Sequence, residues 1–149
     1  MRWIAEVTRS EPCPATSCGP MDRSRAPNVL VVDDESHVRD LFGRILSRSG
    51  IAVTFAADSI GGLAEARARV PDVIVSDLGM PRMDGLAFCR ALRRDPATST
   101  VPILVISGND AGQMRAALDA GCDAVLLKPC TGALLIHTVR RLLRLRSAS

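Results

Sequence analysis

Five short runs of apolar residues recur along the chain, and each is followed by a loop and then by a stretch with helical spacing. The runs lie at 28–32, 51–55, 73–77, 101–106 and 123–127. Apolar runs of this length between turn residues are typical of buried strands in a parallel sheet. Their alternation with helices predicts an α/β fold with right-handed crossover connections.

The stretches after the strands carry apolar residues three and four positions apart, as amphipathic helices do. The first stretch has Val38, Leu41, Phe42, Ile45 and Leu46 at this spacing. Gly50 is positioned to end that helix, Asp58 or Ser59 to cap the second, and Asp84 to cap the third. Five helices are therefore predicted, and the last of them extends to about residue 146.

Five β-α units suit the doubly wound, flavodoxin-like fold, in which a five-stranded parallel sheet has the order 2-1-3-4-5. The second run, at 51–55, is less uniformly apolar than the others, which fits the edge position that this order assigns to it. The same order places the ends of the first and third strands side by side at the switch point. Open α/β sheets bind their ligands at that point.

Residues 1–27 are rich in proline, serine and arginine and show no sustained periodicity, so we expect a flexible leader there. Residues 28–146 then form one domain, and 147–149 a short tail. Met21 is an alternative translation start directly before the first strand. No apolar run approaches the ~20 residues that span a bilayer, and no signal peptide is evident, so we expect a cytoplasmic protein without membrane insertion.

Charge and cysteine content narrow the possible functions. The net charge of +3 is spread along the chain and is too weak to indicate a nucleic-acid partner, so we expect none. The five cysteines have neither metal-site nor disulfide spacing, and Cys89 and Cys122 are predicted to be buried. Arginine supplies every basic side chain except one, Lys128, which indicates that a compact ammonium group is needed at that position.

Four of the five runs end in, or are directly followed by, polar side chains: Asp33 and Asp34, Asp77, Ser107, and Lys128. Because parallel strands end at one edge of the sheet, these side chains should converge. Three neighbouring carboxylates repel one another unless a cation lies among them, and oxygen ligands of this kind suit Mg²⁺. Lys128 and the Ser107 hydroxyl can then contact an anion beside the metal. These groups together predict phosphoryl transfer, with Asp77 as the acceptor.

The set of motifs resembles the receiver domain of two-component response regulators over residues 28–146. The matching features are Asp33-Asp34, Asp77 with Met80-Pro81-Met83-Asp84-Gly85, Ser107-Gly108, Ala120-Gly121 and Lys128-Pro129. The resemblance implies that Asp77 accepts a phosphoryl group from a sensor histidine kinase or a histidine phosphotransfer protein. It also implies that the signal then passes to a downstream protein by direct contact. The only catalysis implied is the domain's own phosphorylation and dephosphorylation.

The resemblance also implies the ligands of the metal. Mg²⁺ would be bound by Asp34, Asp77 and the Gly79 carbonyl, with Asp33 assisting, while Ser107 and Lys128 contact the phosphoryl oxygens. The Lys128–Pro129 peptide bond would be cis. Two departures from the family concern signal output: Val125 stands where the family usually has an aromatic residue, and the loop after Ser107 is about one residue shorter than usual.

Other interpretations remain open at this stage. A phosphatase of the haloacid dehalogenase type also combines an aspartate nucleophile, Mg²⁺, a hydroxyl and a lysine, although its nucleophile lies in an Asp-x-Asp pattern on the first strand. A flavodoxin lacks support because no phosphate-binding loop follows the first strand. Asp33 and Asp34 could instead cap the first helix. The chain ends almost at the last helix, so we expect a stand-alone receiver and no DNA-binding output domain.

Overall fold

A six-stranded sheet is the centre of the structure, a computed structural model that describes residues 6–8, 26–79, 84–108 and 111–148. Its strands are β1 (Glu6–Thr8), β2 (Asn28–Val32), β3 (Ala52–Ala56), β4 (Val73–Asp77), β5 (Ile103–Ser107) and β6 (Ala124–Leu127). The helices are α1 (Ser36–Arg48), α2 (Ser59–Ala68), α3 (Gly85–Arg94), α4 (Ala111–Ala120) and α5 (Gly132–Ala148). The described part of the chain contains no helix with the length and apolarity needed to cross a membrane.

The strand order across the sheet is β3-β2-β4-β5-β6-β1, and β2 to β6 are all parallel. Counted among themselves, these five strands have the predicted order 2-1-3-4-5, and β3 is the predicted edge strand. The predicted runs 28–32 and 73–77 coincide with β2 and β4, and the other three differ from the observed strands by one or two residues at an end. The fourth predicted strand, at 101–106, begins at Ile103, since Pro102 has no N–H group to donate to a ladder.

One difference from the sequence-based expectation is the strand β1, which lies within the leader predicted at residues 1–27. It pairs antiparallel with β6, so that Val7 lies opposite Val125. Three residues are too few to show a periodicity, and the hydrogen-bonding partner of β1 lies more than 100 residues away in the chain. A second difference is that α5 extends to Ala148, into the predicted tail. Met21 lies outside the described residues.

Two apolar layers enclose the sheet. Leu30 of β2 belongs to a cluster with Phe88 on the face covered by α2, α3 and α4. Val29 belongs to a second cluster with Leu46 of α1 and Leu135 of α5, because successive side chains of a strand point to opposite faces. All five residues of β2, β4 and β5 are buried, which explains why these strands are almost continuously apolar.

The helix ends follow the predicted signals. Gly50 lies two residues after the end of α1 and has a φ angle of 80°, and Gly121 directly follows α4 and has a φ angle of 111°. A residue with a side chain would be strained at either position. Asp58 caps α2 by accepting a hydrogen bond from the Gly61 N–H at 2.7 Å. Asp84 caps α3 in the same way. Both predicted caps are therefore confirmed.

The predicted burial of Cys89 and Cys122 is confirmed as well, since both are fully buried. Burial raises the pKa of the Cys89 thiol to about 12, so this thiol remains protonated at neutral pH. These two residues pack as small apolar side chains in the cluster that contains Phe88.

Candidate functional site

The carboxyl ends of four parallel strands meet at one edge of the sheet and bring the predicted site residues together. Asp77 is the last residue of β4 and Ser107 the last of β5, while Asp33 and Lys128 directly follow β2 and β6. The Lys128 N–H donates to the Ser107 carbonyl at 2.7 Å, which joins the ends of β5 and β6. The strand order thus places residues that are distant in sequence around a single pocket.

Asp77 and Lys128 form an ion pair in this pocket. The Lys128 Nζ lies 3.1 Å from Asp77 Oδ1, and the side chain of Asp77 is only 8% exposed, against 46% for Lys128. Partial burial by itself lowers the pKa of Lys128. The hydrogen bond to Asp77 and the charges of Asp77, Asp33 and Glu35 outweigh burial, so the pKa of Lys128 is raised overall. The ammonium therefore stays charged at neutral pH.

Asp33 lies on the buried side of the pocket at 4% exposure. Burial raises the pKa of its carboxyl, and the charges of Asp77 and Asp34 add to that effect. The Glu35 N–H, which donates to Asp33 Oδ1 at 2.9 Å, and the charge of Lys128 act in the opposite direction without reversing the shift. The Glu35 N–H and Lys128 therefore offset only part of the cost of ionising Asp33.

The carboxylates of Asp33, Asp34 and Glu35 lie together, with one oxygen of each within 4.8 Å of the others. Asp34 and Glu35 are exposed and Asp33 is buried, so the group lines the mouth of the pocket. The alternative that the aspartate pair caps α1 is not supported, because Glu35 occupies the N-cap and makes no side-chain capping bond. A donor set made only of oxygen atoms around a destabilised carboxylate fits a hard divalent cation.

The predicted metal ligands thus separate into two groups. Asp33 and Asp34 cluster with Glu35, a residue that the sequence reasoning did not propose, although it is the third consecutive acidic residue after β2. Asp77 contacts Lys128 and is not a member of that cluster among the described residues. Gly79 is exposed two residues beyond β4. The motif residues 80–83 lie outside the described part of the chain.

Ser107 is fully buried, and its hydroxyl points toward the first turn of α4. Its Oγ lies 3.0 Å from the Gly108 carbonyl oxygen and 3.1 Å from Gln113 Oε1. Among the described residues, no hydrogen bond joins the Ser107 side chain to Asp77 or Lys128. Sequence reasoning missed Gln113 because the contact depends on the side-chain conformation of Ser107.

Three other features that bear on the family resemblance can be located in the structure: the peptide bond after Lys128, Val125 and Gly85. The Lys128–Pro129 peptide bond is cis, as the resemblance implies. Val125 is fully buried on β6. A Cβ atom added at Gly85 would lie 2.7 Å from the Leu78 Cα and 2.8 Å from the Asp77 carbonyl oxygen. The start of α3 therefore packs closely against the loop that follows Asp77, and only glycine fits there.

The family model of the response regulator receiver domain matches residues 29–140. The chain belongs to the response regulator receiver domain family. Chemotaxis protein CheY4 of Vibrio cholerae shares the fold of this receiver domain with a TM-score of 0.75 and 31% identity, over 79% of this chain and 99% of that one. Receiver domains are signalling domains, so membership favours phosphoacceptor signalling over the phosphatase alternative.

Two regulators show the same relationship at the sequence level. The response regulator MprA of Mycobacterium avium is 42% identical over 117 residues, which is 78% of this chain and 50% of MprA. The transcriptional regulatory protein CseB of Streptomyces coelicolor is 36% identical over 118 residues, which is 78% of this chain and 49% of CseB. The chain thus spans about half the length of these two relatives.

Proposed function

We propose that this receiver domain accepts a phosphoryl group on Asp77 from a phosphohistidine and passes the signal to another protein by direct contact. The observation on which the proposal depends is the ion pair between Asp77 and Lys128 at the end of β4, beside the buried carboxylate of Asp33. A nearly buried aspartate in contact with the only lysine of the chain is a poor choice for stability alone, because the carboxylate must be desolvated.

Mg²⁺ is the cofactor that we propose for the acidic pocket. Asp33 and Asp34 would hold it together with Asp77 and the Gly79 carbonyl, and Glu35 lies close enough to Asp33 and Asp34 to take part. When bound, the ion supplies positive charge that offsets the repulsion among these carboxylates and the charge of the incoming phosphoryl group. The raised pKa of Asp33 is consistent with this role, because burial and the charges of Asp77 and Asp34 disfavour its ionised form and a cation would favour it.

The proposed reaction assigns a task to each side chain of the pocket. A carboxylate oxygen of Asp77 attacks the phosphorus atom, the new O–P bond forms, and the P–N bond to the donor histidine breaks, so that the imidazole leaves. Lys128 holds a compact positive charge beside Asp77 and stabilises the charge on the transferred oxygens. Ser107 donates its hydroxyl proton in a hydrogen bond to one of those oxygens once its side chain turns toward the pocket.

The partners that we propose are a sensor histidine kinase or a histidine phosphotransfer protein on the input side and a further protein on the output side. We place the domain in the cytoplasm, without membrane insertion, and we assign no nucleic-acid contact to it. Family membership supports the input partners, because receiver domains belong to two-component systems. The kinase and the downstream protein would be identified by affinity capture with the phosphorylated and the unphosphorylated chain.

Incubation of the purified chain with acetyl phosphate and Mg²⁺, followed by intact mass measurement, tests the proposal. We expect a phosphoryl adduct that is stable in acid and labile in base, and we expect Asp77→Asn to abolish it. Asp84→Asn is the matched control, because Asp84 only caps α3 and this variant should still be labelled. An adduct that survives in Asp77→Asn would contradict the assignment of the acceptor.

A second variant tests the need for an ammonium at position 128. The planar guanidinium of Lys128→Arg cannot occupy the point that Nζ occupies, so phosphorylation should slow by about ten- to hundredfold. Arg90→Lys, at an exposed position of α3, serves as the control and should leave the rate unchanged. A wild-type rate in Lys128→Arg would show that any cation suffices there.

A further inference from the structure

The hydroxyl of Ser107 is shared between two acceptors that lie on the side of α4. One is the Gly108 carbonyl oxygen at 3.0 Å, and the other is the side-chain Oε1 of Gln113 at 3.1 Å. A hydroxyl has one proton to donate, so each acceptor competes with any third one. Ser107 is fully buried, whereas Gly108 and Gln113 lie at exposed positions, so both bonds join the protein interior to its surface.

We propose that Gln113 is a positioning residue that holds the Ser107 hydroxyl on the α4 side and thereby slows phosphorylation of Asp77. This inference rests on the proposed function, in which the hydroxyl must turn to a phosphoryl oxygen. Turning breaks the bond to Gln113, so the Gln113 amide opposes the transfer by the net strength of one hydrogen bond. The same contact links the chemistry of the pocket to the first turn of α4.

Val125 explains why this contact matters in this chain. Val125 pairs with Val105, two residues before Ser107, and its side chain is fully buried and stiff about χ1, so it cannot swing as a large aromatic ring could. A side chain other than Val125 must therefore hold the Ser107 hydroxyl in place. Gln113 is the one side chain within the described residues that accepts a hydrogen bond from Ser107.

Two substitutions of Gln113 should change the phosphorylation rate in opposite directions. Gln113→Ala removes the acceptor and should accelerate labelling by acetyl phosphate by about two- to tenfold, the range expected for one neutral hydrogen bond. Gln113→Glu replaces it with a charged and stronger acceptor, and should slow labelling. Arg115→Ala, an exposed position on the same helix, is the control for a general effect on α4.

The Ser107→Ala background separates the proposed contact from other effects. There, Gln113→Ala should no longer accelerate labelling, and any slowing that remains in Gln113→Glu reports only the added charge. Equal effects of the Gln113 substitutions with and without Ser107 would overturn the inference. If the wild-type chain is not labelled at all, the proposed function fails instead, so the two failures are distinguishable.

A measurement without metal or phosphodonor gives an independent test. Nitrogen relaxation of the Gln113 side-chain amide should show an ordered group in the wild-type chain and a more mobile one in Ser107→Ala, since the hydroxyl is the partner that holds it. The same order in both proteins would contradict the inference even if the kinetic effects were found.

Discussion

The carboxylates of Asp33 and Asp77 lie on the buried side of the pocket, and the ammonium of Lys128 contacts the second of them. Asp33 is left with the Glu35 N–H as its hydrogen-bond donor. Burial, then the charges of Asp77 and Asp34, raise its pKa. A group with a raised pKa in the folded state stabilises the fold only while it is protonated. At neutral pH, ionised Asp33 therefore lowers the free energy of unfolding.

Asp33→Asn should stabilise the protein in the absence of metal. The amide keeps an oxygen that can accept from the Glu35 N–H but removes the charge, so the free energy of unfolding at pH 7 should rise by on the order of 1 kcal/mol. The gain should be absent well below the ordinary pKa of aspartate and appear as the pH rises through the raised pKa of Asp33. Urea unfolding in a chelating buffer measures it.

The same substitution should weaken Mg²⁺ binding, which calorimetry can follow. Asp40→Asn, on the exposed surface of α1, is the control and should change neither quantity. A loss of stability in Asp33→Asn at neutral pH would mean that the charge of Asp33 is compensated within the protein. The cation would then have no repulsion to relieve at this residue.

At the level of secondary-structure elements, Arg93 joins the amino-terminal side of the sheet to α3. Its guanidinium donates to the carbonyls of Ser99 at 3.1 Å, Val101 at 2.6 Å and Gly121 at 2.8 Å, and pairs with Asp123 at 2.6 Å. The planar fork of arginine satisfies several acceptors at once. This connection lies at the opposite end of β5 from the pocket and bears on stability rather than on phosphorylation.

Arg93→Met should destabilise the protein by about 2–4 kcal/mol, because it leaves half-buried carbonyls without their donor and leaves the Asp123 carboxylate with the Ile103 N–H but without its counter-charge. Arg93→Lys should recover only part of the loss, since an ammonium cannot reach all four acceptors. Arg94→Met, at the next and exposed position, should change the free energy of unfolding by less than about 0.5 kcal/mol. Similar urea midpoints for Arg93→Met and Arg94→Met would refute this account.

Burial on both faces is the reason that most elements can be predicted from the sequence. The strands β2, β4 and β5 must be apolar at almost every position, and that run is visible without any knowledge of their neighbours. The strand order then follows from topology, and the convergence of Asp33, Asp77 and Lys128 follows from the order. The same reasoning assigns β3 to the edge because its apolar run is weaker.

Features that depend on a choice of partner or side-chain conformation could not be predicted in this way. The strand β1 exists through its pairing with β6, and nothing within residues 6–8 indicates it. The orientation of Ser107 toward Gln113 is one of several staggered side-chain conformations. The reach of Arg93 to a turn 28 residues away also depends on the packing of α3 against α4.

At the level of the whole molecule, the signal must pass from the pocket to a surface. Val125 is small and stiff, so the surface of α4, β6 and α5 should change only modestly on phosphorylation. We expect the phosphorylated and unphosphorylated forms to bind the downstream protein with affinities that differ by tenfold or less, about 1.4 kcal/mol. Titration of both forms against the captured partner measures the difference, with Asp77→Asn as the form that cannot be phosphorylated. A hundredfold preference would contradict this expectation.

The pairing of β1 with β6 also covers a sheet edge through which copies of the protein could associate. Without β1, the outer N–H and C=O groups of β6 would form an open edge, and open edges recruit strands from other molecules. A shortened chain that begins at Met21 should therefore self-associate more than the full chain in sedimentation experiments at high protein concentration. Because β6 has only four residues, the effect should be weak. Equal sedimentation of both chains would show that the edge is harmless, and the first residues of the protein could then be removed freely.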